Sequence, residues 1–130
     1  MLGSLTTYEA QLYALMRIVT GLLFLCHGSQ KLLGFPGTLP GEAPPFVIYV
    51  GGTIEFVGGI LVMIGLFTRP AAFLCSGMMA AAYWMAHGHR ALLPISNGGE
   101  LAALYCFVFL YIAAHGSGIW SADGGRRPSV

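Results

Sequence analysis

Charge is the first thing this 130-residue sequence lacks. Asp, Glu, Lys and Arg make up 8% of it and hydrophobic residues 56%, whereas an ordinary soluble domain carries about 25% charged residues. A chain of this size has a large surface for its volume and needs charges to stay wetted. Water is therefore excluded as its natural solvent, and lipid takes its place. A broad basic face is lacking too: the net charge of +1 excludes nucleic acid as a partner. The first ten residues hold no Lys or Arg, and the first apolar run carries Arg17. Neither suits a cleavable leader, so the chain reads as mature from Met1. Cys26, Cys75 and Cys106 sit in separate apolar segments without a C-x-x-C pair, which excludes a disulfide framework and a dithiol motif. Cys26 and Cys106 fall at similar depth, about 10 Å in by helical rise, but buried thiols usually serve as small apolar fillers. There is no Gly-rich phosphate loop, Ser/His/Asp set or zinc motif, and no metal is expected.

What is present is four apolar stretches, at about 12–33, 47–67, 71–87 and 99–114, separated by Gly- and Pro-rich punctuation. Each approaches the ~20 residues of a spanning helix. The sequence predicts an all-α, integral membrane four-helix bundle of four transmembrane helices, forming a single domain over 1–130. Gly34-Phe35-Pro36-Gly37 ends the first stretch, Thr68-Arg69-Pro70 turns the second into the third, and Pro94 to Gly98 precedes the fourth. Residues 117–130 are polar and read as a frayed tail, with Trp120 at the headgroups. Four spans put both termini on the side of Arg69, Arg126 and Arg127, opposite Lys31 and Arg90. The positive-inside rule makes that side cytoplasmic.

Ionisable residues inside apolar helices need a reason, since each costs at least about 2.5–3.5 kcal/mol on insertion scales. At 100° per residue, Arg17, Gly21, Phe24, Gly28 and Lys31 share one stripe of the first helix, with His27 beside it. Gly51, Gly52, Glu55, Gly58 and Gly59 are expected to form a complementary small-residue face on the second, and the two faces to pack. Counting from the non-cytoplasmic boundary, His27 and Glu55 lie about 10 Å in, with Lys31, His87 and Glu100 nearer the surface. His27, Lys31, Glu55, His87 and Glu100 are thus expected to converge on one polar pocket. Arg17, roughly 20 Å below that boundary, is expected to snorkel to the cytoplasmic interface.

Two readings of that pocket stand side by side. In one, Lys31–Glu100 and His27–Glu55 are structural clamps between helices. In the other, the pocket serves an anionic, quinone-like or redox partner, His and Glu supplying hydrogen bonds and protons. The pair His87 and His89 reads as interfacial rather than metal-binding, for want of acidic co-ligands. His27 and His87 come closest to a b-type haem pair, without a firm spacing signal. His115 reads as interfacial, and Met78, Met79 and Met85 read as packing.

Arg17-x-x-x-Gly21 leading to His27-Gly28-x-x-Lys31-Leu32-x-Gly34 resembles the start of the DoxX family of small bacterial membrane proteins. Glu55-x-x-Gly58-Gly59-x-Leu61, Gly65-Leu66-x-Thr68-Arg69, Asn97-Gly98-Gly99-Glu100 and Gly116-x-Gly118 extend the likeness over residues 12 to 123. The resemblance implies a four-helix fold in the bacterial inner membrane, with Arg17, Lys31, Glu55 and Glu100 on the family pattern. It also implies a role in electron transfer or oxidative stress. Founding relatives are subunits of a thiosulfate:quinone oxidoreductase, and others partner thiol- and superoxide-handling enzymes. The chain lacks a cysteine pair to run thiol chemistry alone. It is thus expected to be an accessory, quinone-linked redox subunit acting with a partner protein in the lipid bilayer. The alternative is a non-enzymatic component: a structural subunit of a larger complex, a homo-oligomer, or a small-solute binder or transporter.

Overall fold

The computed structural model describes residues 2–125, and all regular secondary structure among them is helical. A single turn, α1 (Gly3–Thr6), precedes the long α2 (Glu9–Leu33). A π-helical turn at Val47–Gly51 runs directly into α3 (Gly52–Ile64), and α4 (Thr68–Ala86) follows. A short α5 (Pro94–Asn97) leads to α6 (Glu100–His115), and a 3-10 turn occupies Asp123–Gly125.

Local chemistry sets these ends. Gly34 and Gly65 adopt left-handed φ of 65° and 72°, which a residue with a Cβ resists, and they stop α2 and α3. The second apolar stretch runs on to Phe67, but Gly65 ends its helix at Ile64. α4 starts at Thr68, earlier than its apolar pattern, because a residue from the far end of the chain caps it. The Asp123 carboxylate accepts from Phe67 N at 3.1 Å and Thr68 N at 2.9 Å. An anionic cap at a helix N-terminus satisfies orphan donors and meets the positive end of the dipole. Asp123→Ala is expected to lower stability by about 1 kcal/mol, read as a fall in the thermal midpoint in detergent.

Among the described residues, two helices are long and apolar enough to cross a membrane: Glu9–Leu33 and the continuous Val47–Ile64, of mean hydropathy 1.4 and 2.0. α6 is apolar but has 16 residues, about 24 Å of helix against a hydrocarbon core of about 30 Å. The outward faces carry Val19, Leu22, Leu23, Phe73, Leu104 and Phe107, all exposed. Apolar surface this continuous needs an apolar surrounding.

α2 and α3 pack backbone against backbone. A Cβ on Gly21 would meet Met63 N at 2.5 Å, one on Gly28 Phe56 N at 2.3 Å, and one on Gly59 Leu25 N at 2.6 Å. Gly52 belongs to the same seam, against Lys31 and Leu32. Gly51 and Gly58 do not: Gly58 faces Cys75 of α4, and Gly51 faces Met78. A second close pair joins α4 to α6, where Ser76 Oγ donates to the Cys106 carbonyl at 2.7 Å. Phe24 of α2 bridges the two pairs, its ring 4.7 Å from Phe109 and 5.4 Å from Tyr105 of α6.

The segment after α6 folds back instead of fraying, at least through residue 125. Ala122 N donates to the Ile64 carbonyl at 3.0 Å and Asp123 N to Gly65 at 2.8 Å. Residues 126–130, with the Arg126 and Arg127 used to orient the chain, lie outside the described residues.

Candidate functional site

The α2–α3 seam places the central charges. Beyond Gly28, the close approach of Gly52 to the Lys31 stem brings the ammonium to the next turn of α3. There Lys31 Nζ meets both Glu55 oxygens, at 2.8 and 2.6 Å. The Glu55 side chain is 4% exposed and that of Lys31 14%. A carboxylate this buried is tolerated only with its charge paired and its lone pairs engaged.

Two polar groups without hydrogen bonds among the described residues lie within electrostatic reach of Glu55. Tyr105 of α6 is buried and within electrostatic reach of Glu55. His27 is half-buried, edge-on to the Tyr105 ring with centroids 6.1 Å apart, and also within reach of Glu55. Neither the Tyr105 hydroxyl nor the His27 imidazole makes a hydrogen bond among the described residues. Tyr105 escaped the sequence reading because an aromatic in an apolar run reads as packing. The signal that was there is its polar tip, which in a membrane helix wants a partner.

The expected five-residue pocket is only partly assembled. Lys31 pairs with Glu55, not Glu100, and His27 is not bonded to Glu55. Glu100 is exposed at the start of α6 and forms no ion pair among the described residues. The helix N-terminus, where a carboxylate is favoured, accounts for it. His87 turns to the next loop, its Nδ1 3.1 Å from the Asn97 carbonyl. Asn97 knots that loop: its amide donates to the Tyr83 hydroxyl at 2.9 Å and to the Ala91 carbonyl at 3.1 Å, and its Oδ1 accepts from Gly99 N at 2.8 Å. His115 stacks on Tyr13. The three cysteines are free thiols.

Arg17 does not snorkel. It is fully buried, and its guanidinium donates to the carbonyls of Val62 at 3.1 Å, Ile119 at 3.1 Å and Trp120 at 2.7 Å, and to that of Ser117. Folded back over the end of the bundle, the C-terminal segment gives this cation a shell of carbonyl dipoles. A second arginine, Arg69, caps α6 by donating to the Ala113 and Ala114 carbonyls at 3.2 and 2.6 Å.

Comparison with known proteins assigns the chain to a family. The DoxX family model matches residues 12–88. The chain belongs to the DoxX family. Among its relatives, an uncharacterized protein of Haemophilus influenzae is 41% identical over 129 residues, covering 94% of this chain and 96% of that one. The Bacillus subtilis protein named "Putative oxidoreductase CatD" is 31% identical, covering 84% and 82%. Inner membrane protein YqjF of Escherichia coli is 29% identical, covering 82% and 85%. No solved structure matches the chain. It is a DoxX-family membrane protein, with relatives in the inner membrane. Of the motifs that carried the resemblance, those before residue 88 fall within the matched span.

Proposed function

We propose that this DoxX protein is a small inner-membrane subunit working with a partner protein in quinone-linked electron transfer. In this reading it spans the bilayer four times as one domain, with both termini cytoplasmic, and α4 and α6 tilt little or end in the interface. The observation that carries the proposal is the buried Lys31–Glu55 pair with the unbonded His27 imidazole and Tyr105 hydroxyl within electrostatic reach of Glu55. A quinone takes up protons as its oxygens are reduced, and it diffuses within the bilayer. Groups able to donate hydrogen bonds at lipid depth are what its oxygens need. Lys31 keeps a third N–H beyond those directed at Glu55, and His27 can donate or accept. The electrons come from the partner protein, since the chain has no paired thiols and no gathered metal ligands among the described residues. The oxidoreductase in the name of the Bacillus relative supports the same direction.

A second reading is favoured by one feature of the same pair: both Glu55 oxygens already have a partner. The chain is then a non-enzymatic component, a structural subunit or a homo-oligomer, with Lys31–Glu55 as an interhelical clamp. One experiment separates the two. The protein is purified in mild detergent, and quinones retained with it are measured by mass spectrometry. Glu55→Gln is expected to lose bound quinone and, by leaving Lys31 unpaired, to lose about 3 kcal/mol of stability. The double variant Lys31→Met with Glu55→Met is expected to regain the stability but not the quinone. Wild-type protein without quinone, or a double variant that keeps it, contradicts the redox reading and leaves the clamp.

A further inference from the structure

A groove of about 490 Å³ opens between α3 and α4, and the redox reading makes no use of it. The two helices meet closely at Gly58, where a Cβ would stand 2.5 Å from Cys75 Sγ. Toward the start of α3 the contact passes to the tip of a long side chain, Met78 Cε, 3.4 Å from a Cβ on Gly51. The π-helical turn at Val47–Gly51, wound differently from the α-helix it enters, supplies Val47, Val50 and Gly51 to one wall. Gly77 and Ala81, four apart on α4, stand in the other, and nothing lies within 4 Å of a Cβ on Gly77.

The lining side chains are all hydrocarbon or thioether, and none of them can hydrogen-bond strongly or carry a charge. A headgroup, a quinone ring or a peptide backbone placed there would give up its hydrogen bonds to water without replacement. A space of this kind accepts hydrocarbon.

Length and width narrow the occupant. The lining runs from Phe73 to Ala86 on α4 and from Phe46 to Ile54 on the facing helix, about 20 and 12 Å by helical rise. One leaflet of the hydrocarbon core is about 15 Å deep. Spread over such a length, 490 Å³ leaves a mean cross-section of about 30 Å². A single alkyl chain, about 4–5 Å wide at carbon contact distances, fits. A second helix, about 10 Å across, does not. The groove begins where both helices reach one end of the bundle, at Phe46 and Ala86, and stops short of the other. A chain entering from one face of the membrane and running to the midplane has that course. Lys31 packs on the Gly52 side of α3, whereas the groove lies on the Gly51 side.

The geometry points to this groove as the binding site for one acyl chain of a resident phospholipid, its glycerol and phosphate at the level of Phe46 and Ala86. The turn that follows α4 at that level, closed by Arg90 N on the His87 carbonyl at 3.0 Å, carries a cation suited to a phosphate. The Arg90 side chain is exposed and forms no ion pair among the described residues. The site is independent of the quinone proposal, and its test reads phospholipid.

The probe is phosphatidylglycerol bearing a diazirine in one acyl chain, diluted into phosphatidylethanolamine–phosphatidylglycerol nanodiscs that hold the full chain. After photolysis, peptide mass spectrometry locates the adducts. Labelling is expected to be several-fold heavier on Val50, Gly77 and Ala81 than on Leu104 and Phe107, which are exposed on α6. Ala81→Phe and Ala86→Phe, which put a ring into the middle and the mouth of the groove, should remove that excess and leave α6 labelling unchanged. A single phospholipid per chain should survive detergent purification of the wild type and be lost from both variants. Ala81 and Ala86 are exposed, so these variants leave the core intact, and equal thermal midpoints check that they fold. Labelling no heavier in the groove than on α6, or an excess that survives both rings, means bulk lipid only and overturns the proposal. Loss of quinone in place of phospholipid from the variants overturns it in favour of an isoprenoid tail. A wild-type dimer that both variants split overturns it in favour of a second copy of the chain. The wild-type labelling pattern decides by itself should either variant fail to fold.

Discussion

Replacing Gly28 with leucine is expected to push α2 and α3 apart and to remove most of the thermal stability of the protein in detergent. A Cβ at this position would stand 2.3 Å from Phe56 N and 2.8 Å from both Phe56 Cα and the Gly52 carbonyl oxygen. All three are backbone atoms of a helix, so no rotamer change can make room. The helices must separate, and the separation cannot stay local. Gly21 and Gly59 make the same kind of contact further along the seam, and the 2.6 Å contact between Lys31 and Glu55 lies just beyond it on the other side. In lipid the hydrophobic effect does little to hold helices together, so close packing and polar contacts carry the association. The loss should reach or exceed the upper end of the ~1–3 kcal/mol typical of overpacked cores, with the ion pair weakened as well. Gly77→Leu is the control: nothing lies within 4 Å of a Cβ there, and its midpoint should stay near that of the wild type. Equal midpoints for the two variants would show that backbone contact is not what joins α2 to α3.

The glycine seam also shows how much of the fold was legible in the sequence. Helical periodicity is local and rigid, so the stripe through Gly21, Gly28 and Lys31 could be drawn from spacing, and the seam with Gly52 and Gly59 follows it. The same arithmetic sets the limit of that reading. Gly58 and Gly59 differ by about 100° around the helix, so they cannot both face α2, and Gly58 serves the α4 contact instead. Depth along a helix says which residues lie at one level, not which neighbours they face. Glu55 and Glu100 were both at levels Lys31 could reach, and the backbone-close α2–α3 packing decides for Glu55. His87 was drawn away by Asn97, whose several hydrogen bonds no periodic pattern announces. The least legible part was the C-terminal segment. It has no period and is rich in Gly and Ser, and such a stretch reads as solvated unless something buried needs its carbonyls.

Arg17 is what needs them, and Arg17→Met is expected to release the C-terminal segment and cost on the order of 4 kcal/mol. The guanidinium is fully buried and donates to four backbone carbonyls, three of which belong to residues 117, 119 and 120. A hydrogen bond to a charged group contributes about 1.5–3 kcal/mol, and a buried acceptor left unpaired costs about 1–3 kcal/mol. The freed segment can turn its carbonyls to water, which recovers part of the loss. The Val62 carbonyl, inside α3, has less freedom to do so. Methionine matches the apolar stem and fills the space, so the variant isolates the polar contribution from a cavity effect. Arg17→Lys keeps the charge but presents three donors from one point in place of a planar fork. It cannot span four carbonyls and is expected to fall between wild type and Arg17→Met. Release has its own readout. The Asp123 cap on α4 hangs on the same segment, so protease cleavage after residue 117 should accelerate in Arg17→Met while the α2–α3 seam stays closed. If Arg17→Met melts as the wild type does and its C-terminal segment resists protease equally, the carbonyl shell does not hold this end of the bundle. The burial of the arginine would then need another cause.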